Sequence, residues 1–182
     1  MFRKPPMTKV SSAITGAAAE HYVMYRLLLN GMIAALAPKG VPEIDILVFD
    51  PQGKSLAEIQ VKGRQFSKDG GWTMNVKHET LVRDRLFYCF VDLGDTPTDA
   101  PDCFVMPSRT VAEVLTLSHQ AWLKAPGRGG RQRQDWNMRR ITHNCNHKTY
   151  KRADGWLNEY RERWDLISAG TIQISKCFTT GS

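Results

Sequence analysis

The chain has 182 residues, of which 42% are hydrophobic and 24% charged, and it carries a formal net charge of +7 with a pI near 9.4. This length suits one domain with a closed core, and the composition excludes a largely disordered chain. No apolar run approaches the roughly 20 residues of a membrane-spanning helix, so we expect no membrane partner.

The N-terminus and the cysteines predict the compartment. Residues 1–6 include basic side chains, but no uninterrupted apolar segment follows them, so we predict no signal peptide. The four cysteines are widely spaced and form no CxxC pair, which is typical of reduced thiols. Together these features predict a cytoplasmic protein.

The first part of the chain predicts one helix followed by three strands. Ser11 or Thr15 is a suitable N-cap for a helix that runs to about Asn30, and Gly31 is placed as its C-terminal stop. The apolar residues after this helix predict strands at 34–36, 43–50 and 55–62. The second strand is apolar on both faces, which indicates a position inside a sheet.

The second part alternates strands and helices and ends in a basic region. We predict strands at 72–76, 86–92 and 104–106, and helices at 77–84, 111–123 and 153–167. This order favours an α/β fold with a central mixed sheet flanked by helices. The expected organisation is an α/β core at 1–123, a basic loop or excursion at 124–152, and a C-terminal helix and tail at 153–182 packed on the core.

Polar side chains are expected to converge on the second and third strands. If Gln52 and Gly53 form a two-residue turn, Asp45 falls opposite Gln60. Asp45 then shares a sheet face with Glu58, Gln60 and Lys62, whereas a slip of one residue sends it to the other face. The alternative is that this face of the third strand is merely solvated.

A fourth group comes from the first helix. Glu20 lies on the same helical stripe as Val23 and Leu27, so a helix packed on that sheet face brings its carboxylate to Asp45, whereas a rotated helix leaves it on the surface. Carboxylate and amide oxygens are ligands of Mg²⁺, and a neighbouring lysine can orient or deprotonate an attacking water. The set therefore predicts metal-dependent phosphodiester hydrolysis. His78 follows a strand and either meets this site or caps a helix.

A helix glutamate, then Pro42-Glu-Ile-Asp45, a hairpin and Glu58-Ile-Gln-Val-Lys62 resemble the motifs of the PD-(D/E)XK nuclease superfamily. Within it they are most similar to the branch with a Gln-Val-Lys third motif, found among some homing endonucleases and resolvase-like proteins. The resemblance implies a restriction-endonuclease-like core, Mg²⁺ as cofactor with Mn²⁺ as an alternative, and DNA as substrate.

By position in the resemblance, Asp45 would be the principal metal ligand and Gln60 would replace the usual acidic ligand. Glu20 would be a further ligand or an acid behind the ligands, and Lys62 would be the catalytic lysine. Because an amide is a weaker, uncharged ligand, Glu58 would compensate for it.

The basic excess is concentrated near the C-terminus. From Lys124 to Arg152 there are nine Lys or Arg residues against one acid, Asp135. Such a cluster attracts polyanions, of which nucleic acid is the commonest, although a solvated basic surface is the alternative. The predicted nucleic-acid contacts are Arg64, Arg128, Arg131, Arg133, Arg139, Arg140 and Lys148.

Three functions follow from these patterns. The first is a Mg²⁺-dependent DNA endonuclease, for which a homodimer is an open possibility. The second is a non-catalytic nucleic-acid-binding protein on a nuclease scaffold, and the third is a protein whose basic face meets an acidic protein. The sequence His143-Asn-Cys145-Asn-His147 offers three zinc-ligand types, but its spacing is atypical and a polar basic loop is the simpler interpretation.

Overall fold

The computed structural model describes residues 10–65, 71–147 and 150–168. The long α-helices of the described residues are α1 (Ser12–Leu29) and α2 (Ser108–Lys124), and residues 165–168 form a further α-helical turn. The strands are β1 (Ile33–Leu36), β2 (Ile46–Phe49), β3 (Ser55–Arg64), β4 (Trp72–Asn75), β5 (Leu86–Asp92), β6 (Asp102–Pro107), β7 (Met138–Ile141), β8 (Asn146–His147) and β9 (Tyr150–Lys151). Short 3-10 helices span Val76–Glu79, Arg128–Gly130 and Trp156–Tyr160.

A five-stranded mixed sheet with the order β1-β2-β3-β5-β6 forms the centre of the fold. The β3–β5 pair is parallel, and the other neighbours are antiparallel. The strands β4 and β7 form a separate antiparallel pair, and so do β8 and β9. The predicted α/β class, with a central mixed sheet flanked by helices, is confirmed.

The core lies on both faces of this sheet. On one face α1 packs against alternate residues of the strands, in a cluster that includes Ala19, Val23, Leu27, Ile46, Ile59 and Val61. On the other face α2 covers a second cluster, which includes Leu86, Tyr88, Phe90, Phe104, Val111 and Leu115. Because both faces are apolar, each polar side chain that the central strands direct inward needs a partner.

The helix α1 begins and ends where its local sequence predicts. The Ser11 side chain accepts a hydrogen bond from the Ile14 amide at 3.4 Å, and Asn30 follows the last turn as the C-cap. Gly31 adopts a φ of 75°, the left-handed conformation that favours glycine at a helix end. These local signals explain why the bounds of α1 agree with the prediction.

Close packing of α1 on β3 depends on Gly63. A Cβ atom added at Gly63 would lie 2.6 Å from the Ala19 Cβ and 2.9 Å from the Thr15 carbonyl oxygen. Both distances are shorter than real carbon contacts permit, so the missing side chain allows the helix backbone to approach the strand.

The hairpin between β2 and β3 differs from the predicted two-residue turn. The Asp50 amide donates to the Lys54 carbonyl at 2.9 Å, so the loop covers 51–53. The Asp50 Oδ1 atom accepts hydrogen bonds from the amides of Gln52 and Lys54, at 3.0 and 2.8 Å. An aspartate that satisfies the turn amides in this way favours the longer loop.

A β-bulge between Val48 and Phe49 compensates for the longer loop. Beyond the bulge Ile46 pairs with Ile59, and the regular ladder ends there, because the Asp45 amide donates to the Ile59 carbonyl. The predicted turn is therefore wrong, and the predicted pairing of Asp45 with Gln60 stays a prediction.

The predicted helix at 153–167 is also wrong. In place of one continuous helix, the chain forms the 3-10 helix Trp156–Tyr160, a bridge from Arg161 to Phe104 at the edge of β6, and an α-helical turn at 165–168. Trp156 belongs to the α2-side core, whereas Trp164 belongs to the α1-side core. Aromatic residues that resembled one helical stripe thus serve opposite faces of the sheet.

The segment expected to be a helix at 77–84 contains only the 3-10 helix Val76–Glu79, so that prediction is corrected. The region 124–152, expected as a basic loop or excursion, contains short strands, because β7 pairs with β4 and β8 pairs with β9. Strand pairing over so few residues leaves little periodic signal in the sequence.

Candidate active site

Asp45 lies immediately before β2 and is held against β3. Its amide donates to the Ile59 carbonyl at 2.8 Å, and its Oδ2 atom accepts a hydrogen bond from the Val61 amide at 2.7 Å. The backbone of β3 therefore fixes the orientation of this half-buried carboxylate.

Gln60 supplies a buried oxygen on the strand that holds Asp45. Gln60 is 8% exposed, and its Oε1 atom is buried without a hydrogen-bond partner among the described residues. Leaving such an acceptor unsatisfied costs about 1–3 kcal/mol. An orphaned amide oxygen on the residue before Val61, whose amide binds the Asp45 carboxylate, fits a divalent cation that prefers oxygen ligands.

Lys62 extends from the same face of β3 as Gln60 and is half-buried. Burial lowers the pKa of its ammonium below the ordinary value, the Asp45 carboxylate opposes that shift, and the neighbouring Lys77 reinforces it. A lowered pKa makes the neutral amine more accessible near neutral pH, which suits a group that takes or relays a proton.

Glu20 reaches Asp45 from the opposite side to the one expected. Helix α1 packs on the sheet face of Ile59 and Val61, whereas Gln60 lies on the face covered by α2. The predicted packing of α1 on the Gln60 face is therefore wrong. Glu20 is half-buried, and its pKa is raised first by burial and second by the negative charge of Asp45, so the two carboxylates still face one region.

Glu58 shares the strand face of Gln60, but its carboxylate has another partner. It forms an ion pair with Arg83 at 2.8 Å. The compensating role expected for Glu58 loses its support, because the arginine holds the carboxylate at the start of β3.

His78 and Tyr88 flank the lysine on the α2 side of the sheet. Tyr88 is the strand partner of Gln60, and its hydroxyl lies 2.8 Å from Nδ1 of the buried His78. Nearby, Lys77 and Glu43 form an ion pair at 2.9 Å. The sequence left the role of His78 open, and it gave no signal for Tyr88, which lies in a continuous apolar strand.

The buried His78 is expected to make the free energy of unfolding sensitive to acid. Burial first, and the charge of Lys62 second, lower its pKa from 6.5 to about 4. Between these values the unfolded chain binds a proton that the folded chain does not, so stability falls as pH drops from 6.5 toward 4, by up to a few kcal/mol. Urea unfolding of the wild type at pH 7 and pH 5 measures this loss.

The matched variant is His78→Asn, which retains a polar group toward Tyr88 but cannot titrate. Its stability at pH 7 is expected to be lower than that of the wild type, with a smaller change between pH 7 and pH 5. An equal pH dependence in both proteins would contradict the assignment to His78.

Arg64, predicted as a DNA contact, is instead engaged inside the protein. Its guanidinium donates to Asp92 Oδ2 at 2.7 and 3.0 Å and contacts His143 Nε2 at 2.9 Å. It also lies 4.0 Å from the ring centroid of Trp72, a cation–π contact. The prediction for Arg64 is therefore corrected.

Arg139, another predicted contact, is 5% exposed. It binds both carboxylate oxygens of Glu79, the carboxylate of Asp135 and the carbonyl of Trp136. This arginine connects β7 to the 3-10 helix Val76–Glu79, so we withdraw it from the predicted DNA contacts.

The other predicted contacts differ in exposure. Arg128, Arg131 and Arg140 are exposed, whereas Arg133 is half-buried with its guanidinium 4.7 Å from the ring centroid of Trp122. Lys148 lies outside the described residues. The exposed arginines remain predictions for phosphate contacts.

The His143–His147 segment is built into the core at its start. His143 packs against Trp72 and Phe104, and Cys145 is buried in the α2-side cluster. The described residues contain no group of three or more His, Cys, Asp or Glu that could hold a metal, and the side chain of His147 lies outside what the structure describes.

No family model and no curated protein matches the sequence. Among solved structures the chain is similar to a bacterial homing endonuclease, I-Ssp6803I, with a TM-score of 0.52 and 15% sequence identity. The alignment covers 91% of this chain and 98% of that chain. The likeness shows that the chain shares the α/β fold of that protein. Within the described residues, no helix has the length and apolar character needed to cross a membrane.

Proposed function

We propose that this protein is a Mg²⁺-dependent endonuclease that acts on DNA. The observation that carries the proposal is the buried, unpartnered Oε1 atom of Gln60 on the strand whose Val61 amide holds the Asp45 carboxylate, with the half-buried Lys62 on the same strand face as Gln60. In this proposal one carboxylate and one amide oxygen bind the metal, and one amine assists hydrolysis of the phosphodiester bond.

Each residue has a distinct role in the proposal. Asp45 and Gln60 hold the metal, and Glu20 adds a ligand or an acid behind it. When bound, a divalent cation polarises a phosphoryl oxygen and lowers the pKa of a bound water. Lys62, whose pKa is lowered by burial, orients the attacking water, accepts its proton or neutralises charge as the phosphodiester bond breaks.

The raised pKa of Glu20 supports the proposal that a cation binds at this site. Two carboxylates that face one region repel each other, and this repulsion contributes to the raised pKa of Glu20. A divalent cation held at Asp45 would reduce that repulsion, and the oxygen of Gln60 would be a further ligand for it. The order of these motifs along the chain supports membership of the Gln-Val-Lys branch of the PD-(D/E)XK nucleases.

DNA is the proposed substrate for two reasons. The region 124–152 carries nine basic residues against one acid, and Arg128, Arg131 and Arg140 are exposed within it. In addition, the protein of similar fold is a homing endonuclease. A homodimer remains a prediction that analytical ultracentrifugation of the full chain would measure.

The test is cleavage of supercoiled plasmid and of linear duplex DNA. We expect nicked or linear products with Mg²⁺ or Mn²⁺ and none when EDTA replaces the metal. Cleavage that persists in EDTA would contradict the metal-dependent mechanism, and intact DNA in every metal would contradict the enzyme.

The second candidate is a nucleic-acid-binding protein without catalysis. It is favoured by one observation, the uncharged amide of Gln60 at the position where the resembling family has an acid. This candidate predicts DNA binding that weakens with salt, with no cleavage. If Gln60→Glu then gains cleavage, the wild-type scaffold lacks only the charge of that ligand.

A further inference from the structure

A groove of about 600 Å³ lies between the C-terminal half of α2 and the segment that contains β7. Its lining includes Ser118, His119, Trp122, Trp136, Met138 and Arg140. The groove is therefore rich in aromatic and apolar surface, with an exposed arginine in its wall.

Trp136 is the unusual member of this lining. It is 67% exposed, whereas Trp72, Trp156 and Trp164 are at most 6% exposed and Trp122 is half-buried. Met138 beside it is 52% exposed. An exposed indole beside another exposed apolar side chain indicates a binding surface rather than a packing residue.

The backbone that carries the Trp136 indole is anchored by hydrogen bonds and ion pairs. Arg139 binds the carbonyl of Trp136 and the carboxylates of Glu79 and Asp135. On the α2 side, His119 Nε2 contacts Asp135 Oδ1 at 2.7 Å. These buried and bridging contacts anchor the backbone on both sides of the groove, so a ligand meets a preformed surface.

The positive charge around the groove favours an anionic partner. Asp135, the one acid between residues 124 and 152, is engaged by His119 and Arg139. Arg140 lies in the groove, and Arg128 and Arg131 are exposed on the same basic segment. A planar, apolar surface flanked by arginines matches a nucleotide, whose base stacks on an aromatic ring while its phosphate meets a cation.

We propose that this groove binds an unpaired nucleotide of DNA, with its base stacked on Trp136 and its phosphate beside Arg140. The bases of an intact duplex are already stacked on one another, so only an unpaired or displaced base can enter. Stacking on an aromatic side chain contributes about 1–3 kcal/mol per base. The groove would therefore give the protein a preference for strands with an unpaired base over perfect duplex.

The groove and the candidate active site lie on the same side of the sheet. The 3-10 helix Val76–Glu79 connects them, because Glu79 binds Arg139 behind the groove and His78 binds Tyr88 beside Gln60. The groove and the candidate active site are therefore joined through one short element. This inference rests on the proposed function in that DNA is the ligand, but the groove itself needs neither metal nor cleavage.

The test measures binding in EDTA with a short single strand, a perfect duplex and a duplex that contains one unpaired base. For the wild type we expect tighter binding of the two ligands with unpaired bases, and quenching of tryptophan fluorescence, because Trp136 is the most exposed of the five tryptophans. Trp136→Ala is expected to weaken binding of these two ligands by about 10-fold and to leave the perfect duplex unchanged.

Two variants serve as controls. Trp136→Phe keeps a ring for stacking and is expected to retain most of the affinity while losing the fluorescence change. Tyr25→Ala removes an aromatic side chain that is 57% exposed on α1, on the other side of the sheet, and is expected to bind like the wild type.

Two results would overturn the proposal in different ways. If Trp136→Ala distinguishes the three ligands as the wild type does, while plasmid is cleaved with Mg²⁺, the groove assignment fails and the proposed function stands. If the wild type neither binds nor cleaves any DNA, the proposed function fails and the groove assignment fails with it.

Discussion

Asp45→Asn and Lys62→Met are each expected to reduce Mg²⁺-dependent DNA cleavage by about 10²–10⁴-fold, with DNA affinity in EDTA close to that of the wild type. Asparagine keeps an oxygen that accepts the hydrogen bond from the Val61 amide, so the strand pairing is retained while the charge is lost. Methionine keeps the apolar stem of the half-buried Lys62 and removes its amine. Initial rates of plasmid nicking measure both losses.

Matched substitutions on the same hairpin provide the controls. Asp50→Asn keeps an oxygen for the turn amides of Gln52 and Lys54, and Lys54→Met removes an exposed amine at the end of the loop. Both are expected to cleave at nearly the wild-type rate. Wild-type rates for Asp45→Asn and Lys62→Met would place the chemistry elsewhere in the protein.

Gly63→Ala is expected to destabilise the fold by about 1–3 kcal/mol or more, because the added Cβ meets the Ala19 Cβ at 2.6 Å and the Thr15 carbonyl oxygen at 2.9 Å. One of these neighbours is helix backbone, which cannot rotate away. The displacement of α1 also moves Glu20, so cleavage is expected to fall together with stability. The free energy of unfolding in urea measures the first effect.

Gly16→Ala is the control within the same helix. A Cβ at Gly16 would meet nothing within 4 Å, so the substitution is expected to stabilise α1 by up to about 1 kcal/mol through helix propensity. Combining Gly63→Ala with Ala19→Gly removes the shorter contact and is expected to recover part of the loss. If Gly63→Ala unfolds at the wild-type urea concentration, α1 does not pack on β3 as closely as the structure shows.

The elements that the sequence predicted well are those specified by neighbouring residues. Ser11, Asn30 and Gly31 define the ends of α1 through local hydrogen bonds and backbone conformation, and the continuous apolar run 86–92 coincides with β5. The predicted register of β2 with β3 holds as far as the pairing of Ile46 with Ile59, although the loop at 51–53 required a bulge to produce it.

The features that the sequence did not predict depend on residues distant in the chain. Arg64 is half-buried and engaged because Asp92, Trp72 and His143 surround it, and no local pattern distinguishes it from an exposed arginine. Arg139 is similar, since Glu79 lies in another element. The sheet face chosen by α1 is likewise a tertiary choice, because its apolar stripe fits either face.

The bulge between Val48 and Phe49 has a consequence for how such a hairpin can change over time. The register at the far end of the ladder is the same in two cases. One is a tight turn without the bulge, and the other is the present longer loop with the bulge. The tip of the hairpin can therefore gain or lose a residue in divergent sequences without shifting the pairing of Ile46 with Ile59 next to Asp45. A change in loop length at this hairpin would leave the candidate active site unchanged, provided that the bulge is gained or lost together with the extra loop residue.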